Sequence, residues 1–534
     1  MATCGEVLVK ILENYDVDTA FGIPGVHTVE LYRGLPQTQI RHITPRHEQG
    51  AGFMADGYAR STGKPGVCFI VTGPGMTNIA TAMGQALRDS IPMLVISSVN
   101  NSWQLGMGEG FLHELPNQSL MMEGVSLFSH QVTHVDQLPK VLARAFAVFQ
   151  SERPGPVHIE LPMDVITANA DHLDTFAFPI PAAPAAAPHA VVDAVQLLTQ
   201  AKRPLIAIGG GAVKASSEVI TLAEKLNAPV INTVNAKGVI PYSHPLAVGG
   251  SGSCEIIRQE LKAADVILAV GTEFSETDYD FFFAGPVEIG GKLIRIDIDA
   301  SQLTRNVKPV LAIRSDAGYA LSAINAALPD DAAAENGIVR AQALREGSRI
   351  TACSKYDAFY AALNQALPGL TIVGDSTQPT YYAWLHYETE APCRYFHAAT
   401  GYGTLGYAIP AAIGVKLAHP DQPVIALIGD GAAQFTIGEL ASAVEAQVAV
   451  IFLIWNNSGY GEIRRYMDDC KVERIGVDIY TPDFIKIAEG FGCSTARPTT
   501  LEALKAALVE ANGRQGPTVI EVLEDNFVDG YPFP

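Results

Sequence analysis

Two neighbouring stretches carry residue types and spacing suited to chemistry. PVIALIGDG (423–431) ends an apolar run with one aspartate between two glycines, and VAVIFLIWNNSGYGE (448–462) ends the next with two asparagines. Both runs read as buried strands. TIGE between them (Thr436 to Glu439) reads as a capping box opening a helix over ELASAVEAQ. A strand–helix–strand crossover makes the two strands parallel, so Asp430 and Asn457 emerge at one carboxyl edge. If the strands are neighbours, about 4.8 Å apart, both side chains reach one ion. One carboxylate and one amide carbonyl, with room for water and phosphate oxygens, suit Mg²⁺ bound together with a diphosphate. The glycines admit phosphate to the backbone, and the following helix start offers N–H donors. Taken singly, GDG is a tight turn and Asn456-Asn457 a strand-end turn. Across one βαβ unit they form two halves of a clamp.

The elements that must position these residues follow from the bulk properties. A chain of 534 residues exceeds one core, and 48% hydrophobic with 17% charged residues describes a well-buried α/β protein. A net charge of −20 with no basic block argues against nucleic acid as a partner. Apolar runs such as Val448–Trp455 are far too short for a membrane span. MATCGEVLVKILENYDV at the start has acids within its apolar pattern and no leader signal, so it reads as an amphipathic first helix. Seven scattered cysteines without Cys-x-x-Cys spacing argue against zinc or a disulfide framework and fit a reducing cytoplasm. Strand-like runs alternate with helical patterns throughout, the mark of doubly wound parallel sheets. An Ala/Pro-rich linker (168–190) and a softer polar break (327–349) divide the chain into domains over 1–165, 190–326 and 350–534. The middle third opens with RPLIAIGGGAV (203–213), whose glycines hint at a dinucleotide site. The spacing is incomplete, and a domain kept for packing is the better reading.

GDG followed at this distance by NN resembles the signature of thiamine diphosphate (ThDP) enzymes, and the whole chain resembles the acetohydroxyacid synthase, pyruvate decarboxylase and benzaldehyde lyase superfamily. The resemblance implies an N-terminal pyrimidine-binding domain, a middle domain and a C-terminal diphosphate-binding domain. It makes Asp430, Asn457 and the Gly459 carbonyl the Mg²⁺ ligands. Ser376, Thr377, Ala432 and Ala433 then contact the diphosphate, and Pro24, Asn78, Gly429, Gly431 and Tyr460 line the cofactor. In TPRHEQGAGFMADGYAR (44–60), Glu48 opens a helix of small and apolar residues, where burial favours a protonated carboxyl. An Arg-His-Glu helix start alone is more often a cap or surface pair, but in this superfamily it carries the glutamate that activates the aminopyrimidine. GYGTLGYAIPAAIG (401–414) resembles the segment that bends the cofactor, with Leu405 as the wedge and the Gly403 carbonyl and Leu405 N–H as its polar contacts. In the family Glu48 and the clamp come from different subunits, which implies a homodimer, commonly doubled to a tetramer.

Two histidines bear on the reaction. His27 lies in FGIPGVHTVEL (21–31), at a position where benzaldehyde lyase has a histidine. His113 lies in GEGFLHELPNQ (108–118), where the synthases usually have glutamine. A lone histidine is usually a packing or capping residue. A pair beside the thiazolium suits proton delivery and aldehyde release. GTEFSETDYDFF (271–282) lacks the arginine of the synthases' FAD loop, so FAD is not expected. Its acids read as a solvated face, whereas Glu462, just past the clamp, is a candidate for a guanidinium. FGIPGVHTVELYRGL and NNSGYGEIRRYM resemble decarboxylases of 5-guanidino-2-oxopentanoate, a 2-oxo acid of arginine catabolism. The expected reaction is non-oxidative decarboxylation of a 2-oxo acid, with Glu48, His27 and His113 catalytic. The alternatives are a carboligase of the acetolactate synthase or benzaldehyde lyase type and, more remotely, an oxidoreductase using the middle domain.

Overall fold

The computed structural model describes residues 1–250, 252–330, 332–350 and 356–527. The chain forms two compact units. One comprises Met1–Pro181, Gln365–Ser376 and Tyr402–Phe527; the other holds Ala182–Asn364 and Thr377–Gly401.

The first unit begins with the amphipathic helix Cys4–Asn14, closed at its start by a reciprocal Thr3–Glu6 capping box. Its first sheet contains β1 (Thr19–Gly22), β2 (Arg41–Ile43), β3 (Gly66–Ile70), β4 (Met93–Val99), β5 (Phe128–Gln131) and β6 (Pro156–Pro162). The order is β2-β1-β3-β4-β6-β5, with every pairing parallel. β3, β4 and β6 are buried along their whole length, as a parallel sheet covered on both faces requires. The order in which strands are added reverses between β1 and β3. The carboxyl ends of those strands are therefore where such a sheet accepts a ligand.

The second unit carries β7 (Pro204–Ile208), β8 (Val230–Asn232), β9 (Val266–Val270), β10 (Lys292–Asp297) and β11 (Leu311–Arg314), in the parallel order β11-β10-β9-β7-β8. Residues 174–187, inside the expected linker, have no regular structure and run into the helix Pro188–Thr199. The softer break over 327–349 is different: it contains the helix Gly337–Ile350. Its polar residues serve as ties. Arg340 pairs with the buried Glu260 and bonds to the Pro204 carbonyl, and Arg345 donates to the carbonyls of His244 and Ala247. The glycines after β7 are used for packing. A Cβ on Gly209 would lie 2.3 Å from the Gly271 carbonyl oxygen, and one on Gly211 2.8 Å from Gly271 Cα. The loops after β7 and β9 thus pack backbone against backbone. A short strand, β13 (Tyr395–His397), also lies in this unit.

The third sheet supplies β12 (Thr371–Gly374), β14 (Val424–Gly429), β15 (Ile451–Asn456), β16 (Ser494–Ala496) and β17 (Thr518–Leu523) to the first unit, in the parallel order β12-β14-β15-β17-β16. β14 and β15 are direct neighbours, with Gly429 opposite Trp455, as the clamp requires. Among the described residues no helix is long and apolar enough to cross a membrane.

Candidate active site

The carboxyl ends of four successive strands gather the N-terminal candidates. Pro24 and His27 follow β1, Glu48 follows β2, Asn78 follows β3 and His113 follows β4. Helix Glu48–Thr62 starts at Glu48, with His47 as its N-cap and the His47 ring accepting the Gln49 N–H at 3.1 Å. Its small residues let it lie close to two other helices. A Cβ on Gly52 would sit 2.4 Å from Ala82 Cβ, and one on Gly57 2.1 Å from the Ala411 carbonyl oxygen. Glu48 is 9% exposed, and its Oε2 accepts Asn78 Nδ2 at 2.9 Å.

His27 and His113 stack with ring centroids 5.3 Å apart, and neither Nδ1 has a hydrogen-bond partner among the described residues. Burial lowers the His27 pKa, and the facing His113 ring lowers it further. Local geometry holds both rings. Gly25 N–H donates to Thr28 Oγ1 at 3.0 Å, and His113 occupies a left-handed backbone position (φ 60°) against Gly73. The Glu114 carboxylate gathers the N–H groups of Gly108, Gly110 and Phe111 at 2.8–3.0 Å and so folds the loop that presents His113.

The C-terminal candidates lie at the ends of β12, β14 and β15. Asp430, 1% exposed, starts the helix Asp430–Thr436 after Gly429. Its carboxylate accepts the N–H groups of Asn457 (3.3 Å) and Gly459 (2.9 Å) and the Thr481 hydroxyl (3.1 Å). Burial raises its pKa, and these donors oppose the rise. Gly431 has no room for a side chain: a Cβ would meet the Tyr460 ring at 2.6 Å. Ala432 and Ala433 are buried in the same helix. Asp430, Asn457 and the Gly459 carbonyl form an all-oxygen set that could hold a hard cation, one carboxylate leaving most positions to phosphate and water. Among the described residues no cluster of three His, Cys, Asp or Glu forms an alternative metal site. Ser376 Oγ is buried with no hydrogen-bond partner among the described residues, as a hydroxyl suited to a phosphate oxygen would be. Thr377 is buried at the start of the helix Gln378–His386.

The loop 402–407 is held at both ends. The buried Asp375 accepts the N–H of Gly406 (3.3 Å) and of Ala408 (3.0 Å); burial lifts its carboxyl to about 6. Thr404 Oγ1 donates to Gln85 at 2.8 Å, and Tyr407 donates to Asp56. Leu405 is half-buried between them, and Gly403 and Gly406 take left-handed φ angles of 76° and 82°. TIGE is not a capping box. The helix Glu439–Glu445 has Gly438 at its N-cap with no side-chain bond. Thr436 donates instead to the Gly406 carbonyl at 2.8 Å, and Glu439 reaches the backbone of Arg46 and His47. Glu462, in the helix Gly461–Asp469, is paired with Arg465 one turn on.

Sequence reasoning missed Asp375, Thr481, Thr436 and Glu439. Asp375 left a trace, since GDST after β12 repeats the pattern of an acid following a strand-end glycine, and Thr436 and Glu439 were visible only as a capping box.

Two sheet edges with these residues define a thiamine diphosphate enzyme, and the family models agree. The thiamine pyrophosphate enzyme N-terminal TPP-binding domain matches residues 2–121, the central domain 191–324 and the C-terminal TPP-binding domain 375–522. The chain belongs to the thiamine pyrophosphate enzyme family. It is 43% identical to the "probable 2-ketoarginine decarboxylase" of Pseudomonas aeruginosa, over 97% of this chain and 94% of that protein. It is 33% identical to the acetolactate synthase isozyme 1 large subunit of Escherichia coli, over 99% of this chain and 95% of that one. The acetolactate synthase large subunit of Corynebacterium glutamicum is 31% identical, over 98% and 86%.

Proposed function

We propose that this protein is a ThDP- and Mg²⁺-dependent 2-oxo acid decarboxylase whose substrate is 5-guanidino-2-oxopentanoate, the compound also called 2-ketoarginine, and whose products are CO₂ and an aldehyde. The stacked pair His27–His113 carries the choice of decarboxylation over ligation. The 43% identity to the Pseudomonas aeruginosa protein carries the choice of substrate.

When bound, thiamine diphosphate supplies the carbon nucleophile and the electron sink that let a 2-oxo acid lose CO₂. Asp430, Asn457 and the Gly459 carbonyl would hold Mg²⁺, and Ser376, Thr377, Ala432 and Ala433 would hold the diphosphate. Leu405 would pack beneath the cofactor, and the Gly403 carbonyl and Leu405 N–H would bind its aminopyrimidine. Glu48, oriented by Asn78, would share a proton with that ring. His27 and His113, following β1 and β4, would hold or move a proton at the reacting carbon of the substrate. Burial of His27 and the ring facing it favour its neutral imidazole. Glu462 faces the guanidinium. Its pairing with Arg465 is a half-exposed i,i+3 contact of about 0.5 kcal/mol, which a substrate cation can replace. Glu48 serves the clamp of a second copy, so the working unit is a homodimer or a dimer of dimers in the cytoplasm. The central domain serves packing, without FAD, a reading supported by the backbone contact of Gly209–Gly211 with Gly271.

The test is CO₂ release from 5-guanidino-2-oxopentanoate by Glu48→Gln with saturating ThDP and Mg²⁺. A fall of about 100-fold or more is expected for loss of the proton-sharing group; near-normal turnover would sink the reading.

A further inference from the structure

One buried acid has no part in the chemistry described so far, yet it touches the turn that presents Glu48. We infer that Glu439 is the positioning residue for Glu48, acting as a carboxylate clasp on the two backbone N–H groups that precede it. The inference rests on the reading that Glu48 activates the cofactor.

Glu439 is 1% exposed, and its side chain is aimed at the start of helix Glu48–Thr62. Oε1 accepts the N–H of Arg46 at 3.1 Å and of His47 at 3.0 Å. Oε2 accepts Arg46 N–H at 3.0 Å and the Ser442 hydroxyl at 2.6 Å. His47 is the helix N-cap, so the two amides lie outside the helical ladder and would otherwise be donors without acceptors. A carboxylate here completes them and also meets the positive end of the helix. The fit is tight. A Cβ on Gly50 would lie 2.2 Å from Oε1 and 2.6 Å from Cδ, so the first turn can approach the clasp only because position 50 is glycine. The Arg46 guanidinium is bound to the Thr44 carbonyl and to Glu445, and its charge also favours the ionised Glu439. Burial raises the Glu439 pKa, and the Ser442, Arg46 and His47 donors pull it down.

Glu439 also lies three residues beyond Thr436, which donates to the Gly406 carbonyl next to Leu405. One short segment therefore grips both the turn before Glu48 and the loop that bends the cofactor. The carboxylate at 439 holds the φ/ψ angles of residues 46 and 47, and these set the direction in which Glu48 leaves its helix.

The experiment compares wild type, Glu439→Ala, Glu439→Gln and Gly50→Ala by two readouts, with Glu48→Gln in parallel. Exchange of the C2 hydrogen of enzyme-bound ThDP reports what Glu48 does. Amide hydrogen exchange over residues 44–52 of the cofactor-free protein reports the clasp directly. Glu439→Ala is expected to slow C2 exchange roughly tenfold or more and to speed exchange of the Arg46 and His47 amides by a similar factor, as loss of hydrogen bonds to a charged acceptor would. Gly50→Ala should do the same by displacing the carboxylate. It keeps the test valid if Glu439→Ala fails to fold. Glu439→Gln retains an oxygen for both amides and should stay within about threefold of wild type. If Glu48→Gln slows C2 exchange while Glu439→Ala and Gly50→Ala leave it unchanged, the clasp is refuted and the role of Glu48 stands. If Glu48→Gln leaves it unchanged, the underlying reading falls.

Discussion

Replacing Gly431 with alanine would place a Cβ 2.6 Å from Tyr460 Cε1, 2.8 Å from Cδ1 and 3.4 Å from Ile479 Cδ1. The nearest contact is roughly 0.8 Å short of ordinary van der Waals separation, so the ring must retreat. It cannot do so alone. Tyr460 N–H is bonded to the Val477 carbonyl at 2.9 Å, and the residue before it, Gly459, donates to Asp430. The displacement is therefore passed to the oxygen set that holds the cation. Overpacking of this kind costs about 1–3 kcal/mol. If it falls on the bound state, ThDP affinity in the presence of Mg²⁺ drops about five- to 150-fold. Gly490, in the helix Phe484–Phe491, is the control: nothing lies within 4 Å of its would-be Cβ. Gly490→Ala should leave affinity unchanged and raise stability by about 0.5–1 kcal/mol, since alanine is the better helix residue. Calorimetric titration of ThDP into each variant decides. Equal affinities in Gly431→Ala and wild type would show that the contact with Tyr460 does not constrain the clamp.

Two further outcomes follow from side chains outside the clamp. Burial pushes the His158 imidazole down to about 3, while both its nitrogens bond to serines, Ser97 at 2.8 Å and Ser129 at 2.7 Å. The unfolded chain binds a proton there below pH 6.5 and the folded one does not. Stability is therefore complete above that pH and is lost at about 1.4 kcal/mol per unit as pH falls toward 3. Urea unfolding of His158→Gln at pH 7 and pH 5 should lack about 2 kcal/mol of the pH dependence of wild type; an equal dependence would contradict it. Glu114→Ala removes the acceptor of three N–H groups in the loop that carries His113. It should lower kcat about tenfold with ThDP affinity unchanged, and steady-state kinetics with a cofactor titration would show whether the two separate.

What could be read without coordinates was local in the chain. Asp430 and Asn457 sit on one βαβ unit, so the crossover rule alone brings them together. Glu48 stands at a helix start whose small residues mark close packing. Side-chain partners remote in sequence were not legible. Thr436 and Glu439 fit a capping-box pattern, but their actual acceptor and donors are Gly406 and Arg46–His47, and nothing in the TIGE tetrapeptide distinguishes the two uses. The helix Gly337–Ile350 was hidden because its buried face is sparse, Ala341 and Leu344 between Gly337 and Ser348, with arginines tying its flanks. The Gly209–Gly211 cluster shows the converse: a phosphate-loop composition arises wherever two backbones must touch.

The most direct measurement is product formation with ThDP and Mg²⁺ from 5-guanidino-2-oxopentanoate, pyruvate, 2-oxoisovalerate and benzoylformate, with CO₂, free aldehyde and acyloin quantified separately. The account predicts CO₂ and free aldehyde in equal amounts from the guanidino acid, with little turnover of the other three. Acyloin as the main product from pyruvate, with little aldehyde from the guanidino acid, would contradict it.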